Sequence, residues 1–414
     1  MKKLLFIVIV ALVAINIWLY AQEKDTVQAE PEIKLELVWE REFEEPVIDF
    51  TIGTTKDGEP YPDVVVLGSQ LGSKALILDS KEKKLSDLKG LEEGFNFFGI
   101  SESKNHIIHS WWRHDKEGKE VEECIVYIYD LQGKLLWKTP NIAPTRYPLL
   151  SPNGEYLIGP SWAEVLLVKK DGTIKLINPR QNKRRALMRI FFAVSGNSEF
   201  WAINFGEPYA DESVQVVTYD PYGVELFRKA MEPMGLAYGI AISKNGEMIG
   251  VVSPNKKNNF FNLFDKKGNI LWTAKGLSSM AEQWIVFSPL DNYVLVTSLG
   301  GNLKYFDVST GQLNWEYSIP KEEISVNQDP GIGFIPHMEI AFSSDENLVI
   351  VSGEYKKTNR NCLLVFEKGH GLVSTYSLSP SNRGFLPKTK FTLNGDFYVS
   401  NGKKLLKFAL RRSK

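Results

Sequence analysis

The sequence predicts an all-β chain folded as a β-propeller of eight four-stranded blades, with seven blades as the alternative count. Three observations predict it. A turn motif recurs about every 48 residues, a second turn follows it within each unit, and the last unit ends one strand short while a matching strand stands near the N-terminus.

The first motif is a Ser-x-Asn-Gly type turn placed before a hydrophobic strand. It occurs at Lys56-Asp57-Gly58, Ser103-Lys104-Asn105, Pro152-Asn153-Gly154, Gly196-Asn197-Ser198, Lys244-Asn245-Gly246, Leu290-Asp291-Asn292, Asp345-Glu346-Asn347 and Leu393-Asn394-Gly395. Asn, Asp and Gly suit these positions because a tight hairpin turn requires positive φ. The second motif is an Asp, a Gly and then an aromatic residue four positions on. Tyr129-Asp130 with Gly133 and Trp137, Phe264-Asp265 with Gly268 and Trp272, and Phe306-Asp307 with Gly311 and Trp315 carry it, and Tyr219-Asp220 with Gly223 and Phe227 is a softer copy. In the third unit Lys170-Asp171-Gly172 keeps the turn and Leu176 is expected in the aromatic place. Each unit therefore reads as strand, turn, strand, loop, strand, turn, strand, which is one blade.

The final unit offers strands at 388–393, 396–400 and 404–409 and then stops. The segment Leu35 to Phe43, with Val38-Trp39-Glu40, resembles the outer strands around Trp137 and Trp315. Pairing it with the final unit closes the ring and removes an unpaired strand edge.

Residues 1–21 are expected to be a signal peptide or an N-terminal anchor: Lys2 and Lys3 precede an apolar run from Leu4 to Tyr20. That run is slightly shorter than the roughly 20 residues that span a bilayer. Residues 22–32 read as a polar linker and 33–414 as the propeller, placed outside the cytoplasm in the periplasm, secreted, or anchored at the outer face of the cytoplasmic membrane. Within the 414 residues, 43% are hydrophobic and 24% charged, with a net charge of −1. This is a globular composition without the concentrated positive face that nucleic acid requires, so no nucleic-acid partner is expected. A membrane contact is expected only through an uncleaved N-terminal segment. Cys124 and Cys362 fall near the starts of third strands in blades that are not neighbours, so two unlinked, mostly buried thiols are expected.

The Asp-x-x-x-Gly-x-x-x-Trp pattern resembles the repeat of quinoprotein-like (PQQ-type) propellers, and the Ser-Pro-Asn-Gly turn resembles WD-repeat and related bacterial propellers. The resemblance spans nearly the whole chain after the N-terminal segment, but both signatures are structural. The PQQ-type superfamily includes dehydrogenases as well as non-enzymatic scaffolds such as the propeller lipoprotein of outer-membrane barrel assembly. This chain lacks the adjacent cysteines of the dehydrogenases, a clear calcium-ligand set, and the acylatable cysteine of the lipoprotein. No cofactor is expected.

Candidate binding residues lie in the loops from second to third strand and from each blade to the next, where propellers usually bind. Trp111, Trp112, Arg113 and His114 offer a stacking platform for a sugar, peptide or other flat ligand, set against packing of the two rings. The basic cluster Arg180, Lys183, Arg184, Arg185 and Arg189 suits a carboxylate or phosphate, although scattered loop charge is usually solvated. Tyr209 stands in the acidic loop 204–212, and His337 in the Gly- and Pro-rich loop 327–337. His106, His109 and His114 do not make a metal site, because strand alternation sends 106 and 109 to opposite faces. No nucleophile, zinc or phosphate-loop motif is present. The expected function is thus an exported non-catalytic scaffold binding a protein, peptide or glycan. The alternative is an enzyme acting in the central funnel, as a diverged quinoprotein oxidoreductase or as a hydrolase or lyase.

Overall fold

The computed structural model describes residues 33–54, 56–69, 72–81, 83–88, 95–101, 103–114, 121–142, 148–161, 164–179, 190–205, 215–231, 239–253, 259–277, 284–297, 302–319, 339–355, 360–380 and 387–412. Among them are eight sheets of four antiparallel strands and no helix.

Strand β1 (Ile33–Glu42) comes first in the chain but belongs to the last blade. Blade 1 holds β2 (Val47–Thr54), β3 (Pro60–Ser69), β4 (Gly72–Leu78) and β5 (Lys84–Leu88); blade 2 holds β6 (Phe95–Ile100), β7 (Ile107–His114), β8 (Val121–Tyr129) and β9 (Leu135–Lys138). Blade 3 follows with β10 (Leu149–Leu150), β11 (Tyr156–Ser161), β12 (Glu164–Lys169) and β13 (Ile174–Ile177), and blade 4 with β14 (Ile190–Val194), β15 (Trp201–Phe205), β16 (Gln215–Tyr219) and β17 (Glu225–Ala230). Blade 5 is β18 (Ile240–Ile242), β19 (Met248–Ser253), β20 (Asn259–Asp265) and β21 (Ile270–Leu277); blade 6 is β22 (Ile285–Phe287), β23 (Tyr293–Thr297), β24 (Asn302–Asp307) and β25 (Leu313–Ser318). Blade 7 is β26 (Glu339–Phe342), β27 (Leu348–Tyr355), β28 (Arg360–Glu367) and β29 (Gly371–Pro380). Blade 8 has β30 (Thr389–Phe391), β31 (Phe397–Asn401) and β32 (Lys404–Arg412), with β1 as its outer strand. Ile33 pairs with Arg412 and Glu42 with Lys404, and Trp39 packs edge-on against Tyr398 at 5.7 Å. The ring is therefore eight-bladed and closed by its own N-terminal strand.

A blade buries both faces, so its middle strands read as continuous apolar runs. The core divides into eight clusters, one at each junction between adjacent blades. At the junction of blades 3 and 4, for example, Tyr156, Ile158 and Leu167 face Trp201, Ile203 and Val217. Cys124 in β8 and Cys362 in β28 are buried and form no disulfide.

Strand alternation puts the turns between first and second strands at the same end of the ring as those between third and fourth strands. In blades 2 to 7 the first turn is held by a serine. The hydroxyls of Ser101, Ser151, Ser195, Ser243, Ser288 and Ser343 each accept the N–H five residues on, at 2.9–3.1 Å. The turn's fourth residue takes positive φ, even where it is Lys104, Ser198, Asp291 or Glu346. Those side chains have a use. Ser198 accepts the N–H of Asn153 from the preceding blade at 3.0 Å, and the Glu346 carboxylate accepts the N–H of Leu290 at 2.6 Å and the amide of Asn292 at 2.8 Å. These turns thereby link blade 4 to blade 3 and blade 7 to blade 6.

The outer strands show one departure from the sequence reading. In blades 1, 2 and 4 to 7 a β-bulge follows the third–fourth strand turn, and a bulge also interrupts β1. In blades 2, 4, 5 and 6 the bulge brings Trp137, Phe227, Trp272 and Trp315 to one register position. There the ring becomes a wedge against the next blade. The indole of Trp137 donates to the Gly154 carbonyl at 2.8 Å, and that of Trp272 to the Val308 carbonyl at 2.7 Å. Gly311 must be glycine: its φ is +70° and a Cβ would lie 2.8 Å from the Trp272 ring. Blade 3 has no such bulge in its described register, where Leu167 pairs with Lys175 and Leu166 with Leu176. Lys175, and not Leu176, therefore takes the wedge position, and Leu176 is turned outward and exposed. Lys175 Nζ donates to the carbonyls of Tyr222 and Gly223 at 3.1 and 2.8 Å.

Candidate functional site

The β7–β8 hairpin of blade 2 carries the aromatic candidates. Consecutive strand positions face opposite ways, so Trp112 turns toward blade 3. It sits in a cluster with Ile108, Trp137, Leu150 and Leu157, and its ring lies 5.4 Å from Phe97. Trp111 turns the other way, on the face shared with His109, and its indole N–H has no hydrogen-bond partner among the described residues. Both rings are 8% exposed. Arg113 reaches across the hairpin to Glu123 at 3.0 Å with 42% of its side chain exposed, and His114 ends β7 opposite Val121. Arg184, Arg185, Tyr209 and His337 lie outside the described residues, as do the remainder of the basic cluster and most of the loops around Tyr209 and His337.

The histidines are separated by the alternation of the strand. His109 stacks on Phe98 at 4.1 Å and on Tyr127 at 5.3 Å, and its Nε2 is 2.8 Å from Asn96 Oδ1. Burial pushes it down to about 4. His106 lies instead against blade 3, where a Cβ on Gly154 would meet its ring at 2.8 Å. Among the described residues no three His, Cys, Asp or Glu side chains gather as a metal site.

The central channel holds a cluster that the sequence reading missed. Among the described residues, the inner strands of blades 2 to 6 (β6, β10, β14, β18 and β22) carry no ionisable side chain. Blades 7, 8 and 1 do. Lys390 of β30 pairs with Asp49 of β2 at 2.7 Å and also donates to the Phe50 carbonyl. Lys388, just before β30, pairs with Glu339 of β26. Burial works against the Lys388 ammonium, but Glu339 and Asp49 outweigh it and hold its pKa above the usual lysine value. Lys104, at the turn end, is lowered by burial and by the charge of Lys390. The signal was present as two lysines spaced by two, Lys388-Thr389-Lys390, at a strand whose counterparts in blades 2 to 6 carry no charge among the described residues. Chemically the arrangement is two matched ion pairs that tie blade 8 to both neighbours.

The fold can be compared with known proteins on this geometry. The WD40 domain at the C-terminus of Sif2 superposes with a TM-score of 0.59 at 12% identity, over 91% of this chain and 98% of that one. This is a WD40-like eight-bladed propeller. The Dos1 propeller gives a TM-score of 0.56 at 10% identity, over 91% of this chain and 95% of that one. At these identities the likeness is one of fold. No protein-family model matches the sequence, and no curated protein matches it. Among the described residues no helix is long and apolar enough to cross a membrane.

Proposed function

We propose that this chain is an exported, non-catalytic propeller scaffold that binds a protein, peptide or glycan through the connections opposite its tight turns. The observation that carries the reading is the polarity of the ring. One end is built from short turns clamped blade to blade. At the other end the described strands are separated by longer stretches of sequence, between Ile177 and Ile190, Phe205 and Gln215, and Ser318 and Glu339, and rigid frames bearing long loops are binding platforms. Export rests on the apolar N-terminal segment, which precedes β1. The outer-strand Trp pattern also supports kinship with quinoprotein-like propellers.

The enzyme reading draws on the charged strip in the channel. Each of those four groups is neutralised by a partner in the neighbouring blade, an arrangement that favours joining blades over activating a nucleophile.

Native mass spectrometry of the protein purified from its own host's envelope fraction, combined with cross-linking, tests the proposal. A co-purifying partner cross-linked to the 2–3 and 4–1 connections is the expected result. A retained small-molecule or metal adduct, or a partner cross-linked only to the turn end, overturns it. The mass of the chain also reports whether residues 1–21 have been removed.

A further inference from the structure

A cleft of about 490 Å³ opens at the turn end between blades 3 and 4, away from the loops invoked above. It occurs at the junction where Lys175 replaces the aromatic wedge of blades 2, 4, 5 and 6. Tyr156 lines its buried depth, and its hydroxyl donates to the Ser198 carbonyl at 3.4 Å. Around it stand Asn153, Glu155, Lys169, Lys170 and Asp171 of blade 3, facing Pro221 and Tyr222 of blade 4.

We propose that this cleft binds a neutral saccharide. Three features carry the inference. First, the volume falls within the range of small-ligand sites, roughly 300–1,000 Å³. Second, Tyr222 is 64% exposed while the Lys169 ammonium, 4.0 Å from its ring centre, and the Lys175 hydrogen bonds to its carbonyl and to that of Gly223 hold it in place. A fixed, exposed aromatic ring suits the apolar face of a pyranose, and fixing it beforehand reduces the ordering cost of binding. Third, the charges of the lining cancel. Lys170 pairs with Glu155 at 2.8 Å, and Asp171 lies in the field of Lys169. With two lysines against two carboxylates, the cleft exerts no net attraction on a charged ligand. It does offer interleaved donors and acceptors, which hydroxyl groups, being both, can satisfy. Hydrogen bonds from Thr173 hold the Asp171 carboxyl below the usual carboxylate range, so it stays an acceptor.

Saturation-transfer NMR on the full chain with cellotetraose, maltotetraose and chitotetraose tests the proposal. At least one is expected to bind with a Kd of about 1 mM or tighter, and Tyr222→Ala to weaken it about tenfold or more. Asp171→Asn, on an exposed turn, is expected to weaken it severalfold and carries the test if the first variant does not fold. Arg411→Ala, on the exposed flank of blade 8, should leave saccharide binding unchanged. Absence of transfer from all three sugars overturns the proposal. So does binding unchanged in both folded variants, or binding only of a sulfated heparin tetrasaccharide or a proline-rich peptide.

Discussion

The Asp291 carboxylate of blade 6 accepts two backbone N–H groups of Asn245 and its neighbour Lys244 in blade 5, each at 2.8 Å. Asp291 does this from a φ of +62°, a conformation that costs a non-glycine residue about 1–2 kcal/mol. Two hydrogen bonds to a carboxylate are each worth about 1.5–3 kcal/mol and offset that cost. Asp291→Gly relieves the backbone and removes both bonds. It is expected to lower the unfolding free energy by about 1–5 kcal/mol, read as a shifted urea midpoint. A glycine variant as stable as the parent would show that the clamp contributes nothing.

This turn also shows what the sequence made legible. Asn, Asp and Gly flagged every first turn, and the turn residues together with the N-terminal Trp39 strand were enough to count blades and close the ring. The side chain's second task was hidden, since contact with the preceding blade depends on how blades nest. The wedge in blade 3 was misplaced for a similar reason. Counting four residues from Gly172 points to Leu176, but that count assumes a bulge that the described register of blade 3 lacks, and that register places Lys175 at the wedge position. The cleft lies at that same junction and was invisible to motif spacing. The two lysines at 388 and 390 were a visible signal, but the Lys390 partner, Asp49, comes from the opposite end of the chain, and no local pattern names it.

The Asp49–Lys390 pair joins blade 8 to blade 1 with side chains only 20% and 12% exposed. Removing one member of a largely buried pair strands the other charge and costs about 3–5 kcal/mol when burial is complete. Partial access to the channel reduces this, so Lys390→Met is expected to cost about 2–3 kcal/mol. Asp49→Asn combined with Lys390→Met should recover part of the loss, because no charge is then left alone. A double-mutant cycle in denaturant reads the coupling; simple additivity would mean that the two groups do not interact.

His109 predicts a pH dependence. Packed between Phe98 and Tyr127, it titrates near 4 in the folded chain, against about 6.5 when unfolded. Between these values the unfolded chain binds the proton and the folded chain does not. Stability therefore rises with pH through this window and is lost as pH falls from about 6.5 toward 4, by about 3 kcal/mol in all. Other groups titrate in the same range, so the difference between parent and His109→Leu is the informative quantity. The gap in unfolding free energy is expected to narrow as the pH falls from 7 to 4.5. A constant gap would mean that His109 has the same proton affinity in both states.

The closing strand gives the last prediction. β1 supplies the outer edge of blade 8 and buries Ile33 and part of Trp39 against β32 and Tyr398. Deleting residues through Glu42 leaves the backbone of β32 unpaired along its outer side, the kind of exposed edge that recruits strands from other molecules. It also takes Trp39 out of the blade 8–blade 1 cluster that includes Phe50 and Tyr398. The truncated chain is expected to lose its cooperative unfolding transition and to associate in a concentration-dependent way. A synthetic peptide of residues 33–42 added in trans should restore a single transition, since it returns both the backbone partner and the indole. Size-exclusion chromatography with thermal scans distinguishes the cases. A truncated chain that stays monomeric and melts like the parent would place ring closure in the remaining contacts between blades 8 and 1, the Lys390–Asp49 pair among them.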